Sequence, residues 1–250
     1  MSGVRFSLVA ILGLVVALLA GSPVRAEAPA FSDTQKAAIE KLVHDYLVEH
    51  PEVLVEAMTV LHDRQQQAEN DDRRKALHDN HAALFDDAQA PVLGNPKGDV
   101  TVVEFFDYSC PYCKSVENDI RTLLKEDGNV RLVLKEFPVL GAGSALASRA
   151  ALASRAQGKY EAFHDALIAT RGQFSEDVVM TVARSVGLDT VRLKADMAAP
   201  EIEAAIKANH QLADELAIRG TPAFVVGDEV YPGAMDLAAL KQLVAQARKD

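Results

Sequence analysis

The chain has 250 residues, 49% of them apolar and 25% charged, with no tryptophan and a formal net charge of −10. That length holds one catalytic domain plus a smaller appendage, and the balance is that of a globular protein rather than a fibrous or disordered one. The acidic charge argues against a nucleic-acid partner, which selects basic patches.

Residues 1–26 read as a cleaved signal peptide. Arg5 supplies the positive start, Leu8–Ala20 is an unbroken apolar run of 13 residues, and Val24-Arg25-Ala26 offers small residues for cleavage after Ala26, with Ala28 as a second site. The run is shorter than the roughly 20 residues a membrane span needs. Cleavage removes Arg5 and Arg25 and takes the charge to −12. Export places the chain where disulfides persist.

After a short lead-in, Ser32-Asp33-Thr34-Gln35 forms a capping box. Ile39, Leu42, Val43, Tyr46 and Leu47 then recur at helical spacing. His50-Pro51 ends this helix and opens a second, whose apolar face is Val53, Leu54, Ala57, Met58 and Leu61. About 30 residues cannot bury enough surface to fold alone. Residues 27–61 are therefore expected to be a helical oligomerisation segment. From His62 to Lys75 nearly every residue is polar, and 62–89 read as a solvated helical linker.

A catalytic domain is expected over 90–250. Val100–Phe106 reads as a buried strand, Pro111–Lys125 as a helix and Val130–Phe137 as a second strand. Residues 141–217 are almost wholly helical in pattern. Ala223–Val226 returns to strand, Gly227-Asp228 turns, Glu229–Tyr231 pairs back, and Asp236–Arg248 is the last helix. The order predicts an α/β, thioredoxin-like fold with a helical insertion and an N-terminal helical segment before it.

The chain's two cysteines stand at Cys110-Pro111-Tyr112-Cys113, where a strand gives way to a helix. Cys110 falls at the N-cap and Pro111 at the first helical position. Unpaired backbone N–H groups there stabilise a thiolate, so Cys110 is the expected nucleophile. Cys113, one turn on, resolves the mixed disulfide. A structural disulfide closing so short a loop adds only about 2 kcal/mol. Structural zinc needs four ligands, and none of the seven histidines lies near the pair in sequence. No resident metal or other cofactor is expected, though two soft thiols can bind Cu(I) transiently.

Phe105-Phe106-Asp107-Tyr108-Ser109-Cys110-Pro111-Tyr112-Cys113-Lys114 resembles the DsbA family of periplasmic dithiol oxidoreductases, and the paired helices before it resemble the copper-sensitivity-suppressor, ScsC-like branch. The resemblance implies a periplasmic location, a buried acid at Glu104 that exchanges protons with Cys113, and a cis-proline loop at Gly220-Thr221-Pro222 that pairs with substrate. It also implies a trimer. Pro111 and Tyr112 tune the redox poise. Tyr112 stands where the strongly oxidising member has a histidine, which predicts a less acidic Cys110 and a less oxidising disulfide. Thr221 is similar to the residue found in disulfide isomerases. The expected activity is disulfide isomerisation or reduction of unfolded or misoxidised exported proteins, with a membrane thiol reductase as electron donor. The alternatives are a monomeric dithiol oxidase and a periplasmic Cu(I)-binding protein.

Overall fold

The computed structural model describes residues 31–249, so the signal-peptide reading lies outside the described residues. The chain divides into two compact units that meet between Leu61 and His62.

The first unit is helical. Helix α1, Asp33–Glu49, starts with the capping box in place: the Gln35 N–H donates to Ser32 Oγ at 3.3 Å and the Ser32 N–H to Gln35 Oε1 at 2.9 Å. His50 closes it, and helix α2 begins at Glu52. No residue of α1 is buried, and Leu42, Tyr46, Leu54, Met58 and Leu61 stand exposed. Most of the apolar stripes read from the sequence are exposed among the described residues. Helix α2 does not stop at Leu61 but runs unbroken to Asp79, because the polar stretch contains neither proline nor glycine and is rich in good helix formers.

The second unit is built on a sheet in the order β1-β3-β2-β4-β5, with strands Val92–Gly94, Val100–Phe106, Val130–Glu136, Ala223–Val226 and Glu229–Pro232 numbered along the chain. β2 and β3 run parallel, and the other pairings are antiparallel. The edge strand β1 has three residues, too few for the alternation that reveals longer strands in a sequence. Helix α4, Pro111–Asp127, crosses from β2 to β3 and ends at Gly128, whose φ of 68° is a left-handed cap that glycine adopts freely.

The insertion between β3 and β4 holds α5 (Ala142–Ser154), α6 (Tyr160–Ala169), α7 (Glu176–Ser185), α8 (Thr190–Asp196) and α9 (Pro200–Glu215). Helix α10, Leu237–Ala247, follows β5. Among the described residues, no helix is long and apolar enough to cross a membrane.

Alternation along β2 separates two cores. Val102 and Phe106 join α4, α10 and much of the insertion, while Val103 and Phe105 face the other side. That second core also contains Leu77 from the end of α2, Leu84 from helix α3 (His81–Phe85), and Leu212 and Leu216 near the end of α9. The stretch expected as a linker over 62–89 thus changes character along its length. Its residues through Lys75 are exposed, but Leu77 and Leu84 pack under the sheet, with Phe85 half-buried against them. Arg131 donates to Phe85 O at 2.8 Å, and the buried Lys135 pairs with Asp87 at 2.7 Å, tying the segment to β3.

Candidate active site

Cys110 caps α4 and Pro111 occupies its first turn, where the absent N–H costs no helical hydrogen bond. Both cysteines are free thiols. Cys113 is buried against the core, whereas Cys110 keeps 4% of its surface exposed, beside a Tyr112 that is 65% exposed. The Cys110 thiol donates to Thr221 O at 3.2 Å, across 111 residues of sequence. The Thr221–Pro222 peptide is cis. The Cys-x-x-Cys turn and the Gly220-Thr221-Pro222 loop therefore form one site.

Glu104 occupies the same face of β2 as Val102 and Phe106, the face covered by α4, and is 3% exposed. Burial holds its carboxyl well above the usual range; the nearby Glu117 carboxylate adds to this and Arg121 opposes it. Burial also drives the Cys113 thiol strongly upward, reinforced by the charge of Glu104. The charge of Glu104 thus favours the protonated form of Cys113.

Two features next to the cysteines were not found from the sequence. The first is Asp107, fully buried, which accepts the Ser109 N–H at 2.7 Å and the Val139 and Leu140 N–H groups at 2.8 and 2.9 Å. One carboxylate thereby locks the turn before Cys110 to the loop after β3. The Asp-x-Ser spacing is a local signal for the first of these bonds. The second feature is a buried polar cluster. The hydroxyls of Tyr108 and Tyr160 donate to Glu136 Oε1 at 3.1 and 2.8 Å, and Tyr108 also meets His164 Nδ1 at 3.0 Å. Burial pushes the Glu136 carboxyl up to about 8, despite the hydroxyls donating to it.

Among the described residues, two groups of side chains have metal-binding chemistry. Cys110 and Cys113 are soft donors suited to Cu(I). Glu117, His164 and Asp165 bring ligand atoms within 4.8 Å of one another. The Arg121 guanidinium already lies among the latter, bonded to Glu117 at 2.7 Å and also to Asp165, so this trio forms an ion-pair network.

Comparison with known proteins bears on the same features. Residues 101–245 match the DSBA-like thioredoxin domain and residues 35–68 the copper resistance protein ScsC N-terminal domain. The first match covers more than half of the chain. The protein belongs to the DSBA-like thioredoxin family. It carries a DSBA-like thioredoxin domain preceded by an ScsC-type N-terminal segment.

A crystal structure of a thioredoxin-like oxidoreductase from Silicibacter pomeroyi DSS-3 is 53% identical and covers 68% of this chain and 99% of that one, with a TM-score of 0.67. A linker-deleted variant of Proteus mirabilis ScsC is 28% identical and covers 89% of this chain and 99% of that one, with a TM-score of 0.69. Among curated proteins, Na(+)/H(+) antiporter NhaA 1 of Salinispora arenicola is 31% identical over 158 residues, or 62% of this chain. The DSBA-like chain spans 24% of that antiporter's length, so the likeness is to one part of it.

Proposed function

We propose that the protein is a periplasmic disulfide isomerase or reductase acting on misoxidised exported proteins, kept reduced by a membrane thiol reductase. The observation that carries this reading is the free dithiol at the start of α4, with Cys110 Sγ 3.2 Å from Thr221 O.

In the forward step the Cys110 thiolate attacks one sulfur of a substrate disulfide. A Cys110–substrate bond forms, the substrate S–S bond breaks, and the departing thiolate takes a proton. Thr221 O, released from the Cys110 thiol, becomes free to accept an N–H from the extended substrate chain. Glu104, once ionised, takes the proton of Cys113 as Cys113 attacks Cys110 Sγ. This releases the second substrate thiol and leaves the Cys110–Cys113 disulfide. Two electrons have moved to the substrate, and the membrane reductase returns two to the pair. In isomerisation a second substrate thiol resolves the mixed disulfide instead, and no net electrons move.

The isomerase reading draws on the uncovered apolar faces of α1 and α2 and on the ScsC-type segment. Isomerisation benefits when several active sites surround one misfolded chain, and a trimer joined through these helices provides that arrangement. Burying a Leu or Met side chain contributes about 1.5–3 kcal/mol, so a few such residues per copy suffice to hold copies together. Tyr112 brings no positive charge to Cys110, which favours a reducing role over an oxidising one.

The test is the recovery of activity of a scrambled disulfide-bonded protein beside the oxidation of the same protein supplied reduced. Isomerase activity well above that of a Cys110→Ser variant, with weak oxidation, is the expected result. Strong oxidation with no unscrambling assigns the protein as an oxidase. Tight Cu(I) binding by the dithiol with neither activity assigns it as a copper-binding protein, the reading that the family description of its N-terminal segment favours.

A further inference from the structure

A cavity of about 410 Å³ opens beside the Thr221–Pro222 loop. Leu216, Ile218, Pro222, Val230 and Pro232 give it an apolar wall, and the exposed Tyr112 ring lies at it. Its charged wall residues are both cations, Arg73 and Arg219. Arg219 is partly neutralised by Asp214, at 2.7 Å. Arg73, in the part of α2 that belongs to the catalytic unit, is exposed and makes no hydrogen bond or ion pair among the described residues. A neighbouring cleft of about 190 Å³ places it with Asn70, Arg74, Asp228 and Glu229, and the Glu229 carboxylate accepts the Tyr231 hydroxyl at 2.7 Å.

A chain bonded through sulfur to Cys110 starts beside Thr221, which is itself part of the wall of this cavity. In an extended chain alternate side chains share a face about 6.5–7 Å apart, so an apolar side chain entering the cavity brings its neighbours to the cationic wall. The protein as a whole is strongly acidic, and its overall field favours basic substrates. Two arginines at this wall therefore act against the general charge.

We propose that Arg73 is a specificity-determining residue that binds an aspartate or glutamate of the substrate polypeptide, next to an apolar side chain seated in the cavity beside Pro222. The proposal rests on the thiol–disulfide reading and deepens it by naming the substrate segment.

The experiment uses the full reduced chain. Three peptides, each with one cysteine held as a mixed disulfide with a chromogenic thiol, carry a leucine beside Glu, Gln or Lys in otherwise identical sequence. The quantity read is the ratio of the Glu to the Lys rate constant within each enzyme, so differences in overall reactivity cancel. At low ionic strength the native protein is expected to prefer the Glu peptide by about five-fold. Arg73→Glu is expected to reverse this preference and Arg73→Gln to remove most of it, and high salt to reduce it. Arg184→Glu, an equal charge change on α7, should leave the ratio alone.

A ratio that Arg73→Glu leaves unchanged, or that Arg184→Glu alters as much, overturns the proposal while the thiol chemistry stands. Failure of the native protein to reduce the peptides and a small uncharged disulfide alike sinks the thiol–disulfide reading and this proposal with it.

Discussion

Glu104 and Glu136 are carboxyls on neighbouring parallel strands, both buried, and both held above the ordinary range by that burial. In the unfolded chain each titrates near the ordinary glutamate value of 4.5, so the folded state retains protons that the unfolded state releases. The stabilisation is complete below that value and is lost as pH rises through the folded-state value, about 8 for Glu136. Between pH 5 and 8 the urea midpoint of the native protein should therefore fall relative to that of Glu136→Gln, by an amount on the order of 4 kcal/mol in stability. Parallel pH curves for the two proteins would falsify this. Glu104→Gln should flatten the curve in the same direction. It should also slow resolution by Cys113 about 10²-fold, seen as accumulation of the peptide mixed disulfide. Glu104 stood out in the sequence as a lone charge inside an apolar strand. Glu136, at a strand's end beside Lys135, did not, because a charge there is ordinarily solvated.

The turn after β2 and the loop after β3 are separate in sequence yet share a single anchor. Asp107 satisfies three backbone N–H groups, one in the first segment and two in the second. Asp107→Ala leaves all three unpaired and should cost about 3 kcal/mol. Faster hydrogen exchange at the Val139 and Leu140 amides, with a lower urea midpoint, checks this; unchanged exchange there would remove Asp107 from the role.

Helices with strong stripes or caps were legible, including α1 with its capping box and α4 with Pro111 in its first turn. The uninterrupted course of α2 was less legible. A polar helix has no apolar face to declare where it ends, and only the burial of Leu77 shows where it returns to a core.

As a whole, the molecule joins an acidic thioredoxin-like unit to a pair of helices whose apolar residues are largely exposed among the described residues. If copies associate through α1 and α2, the mass in solution should be about three times that of the chain. Leu42→Glu with Met58→Glu should return it to the monomer mass while leaving urea unfolding of the catalytic unit unchanged. Light scattering on both proteins decides it, and a native protein of monomer mass excludes the trimer.

The Cys-x-x-Cys pair at a helix start, the order of strands and helices from β2 onward, and the kinship with the DsbA family could all be read along the chain. Each depends on neighbours a few residues apart: a cysteine before a proline at a helix start, alternation along a strand, a capping pair. The approach of Thr221 to Cys110 was legible only through the family resemblance, and the grouping of Glu136 with Tyr108 and Tyr160 and the place of Arg73 at the cavity wall were beyond such a reading. They join residues from 24 to 111 positions apart, or from elements that meet only when the sheet closes and both its faces are covered. No local preference of the backbone encodes which distant side chain will arrive there.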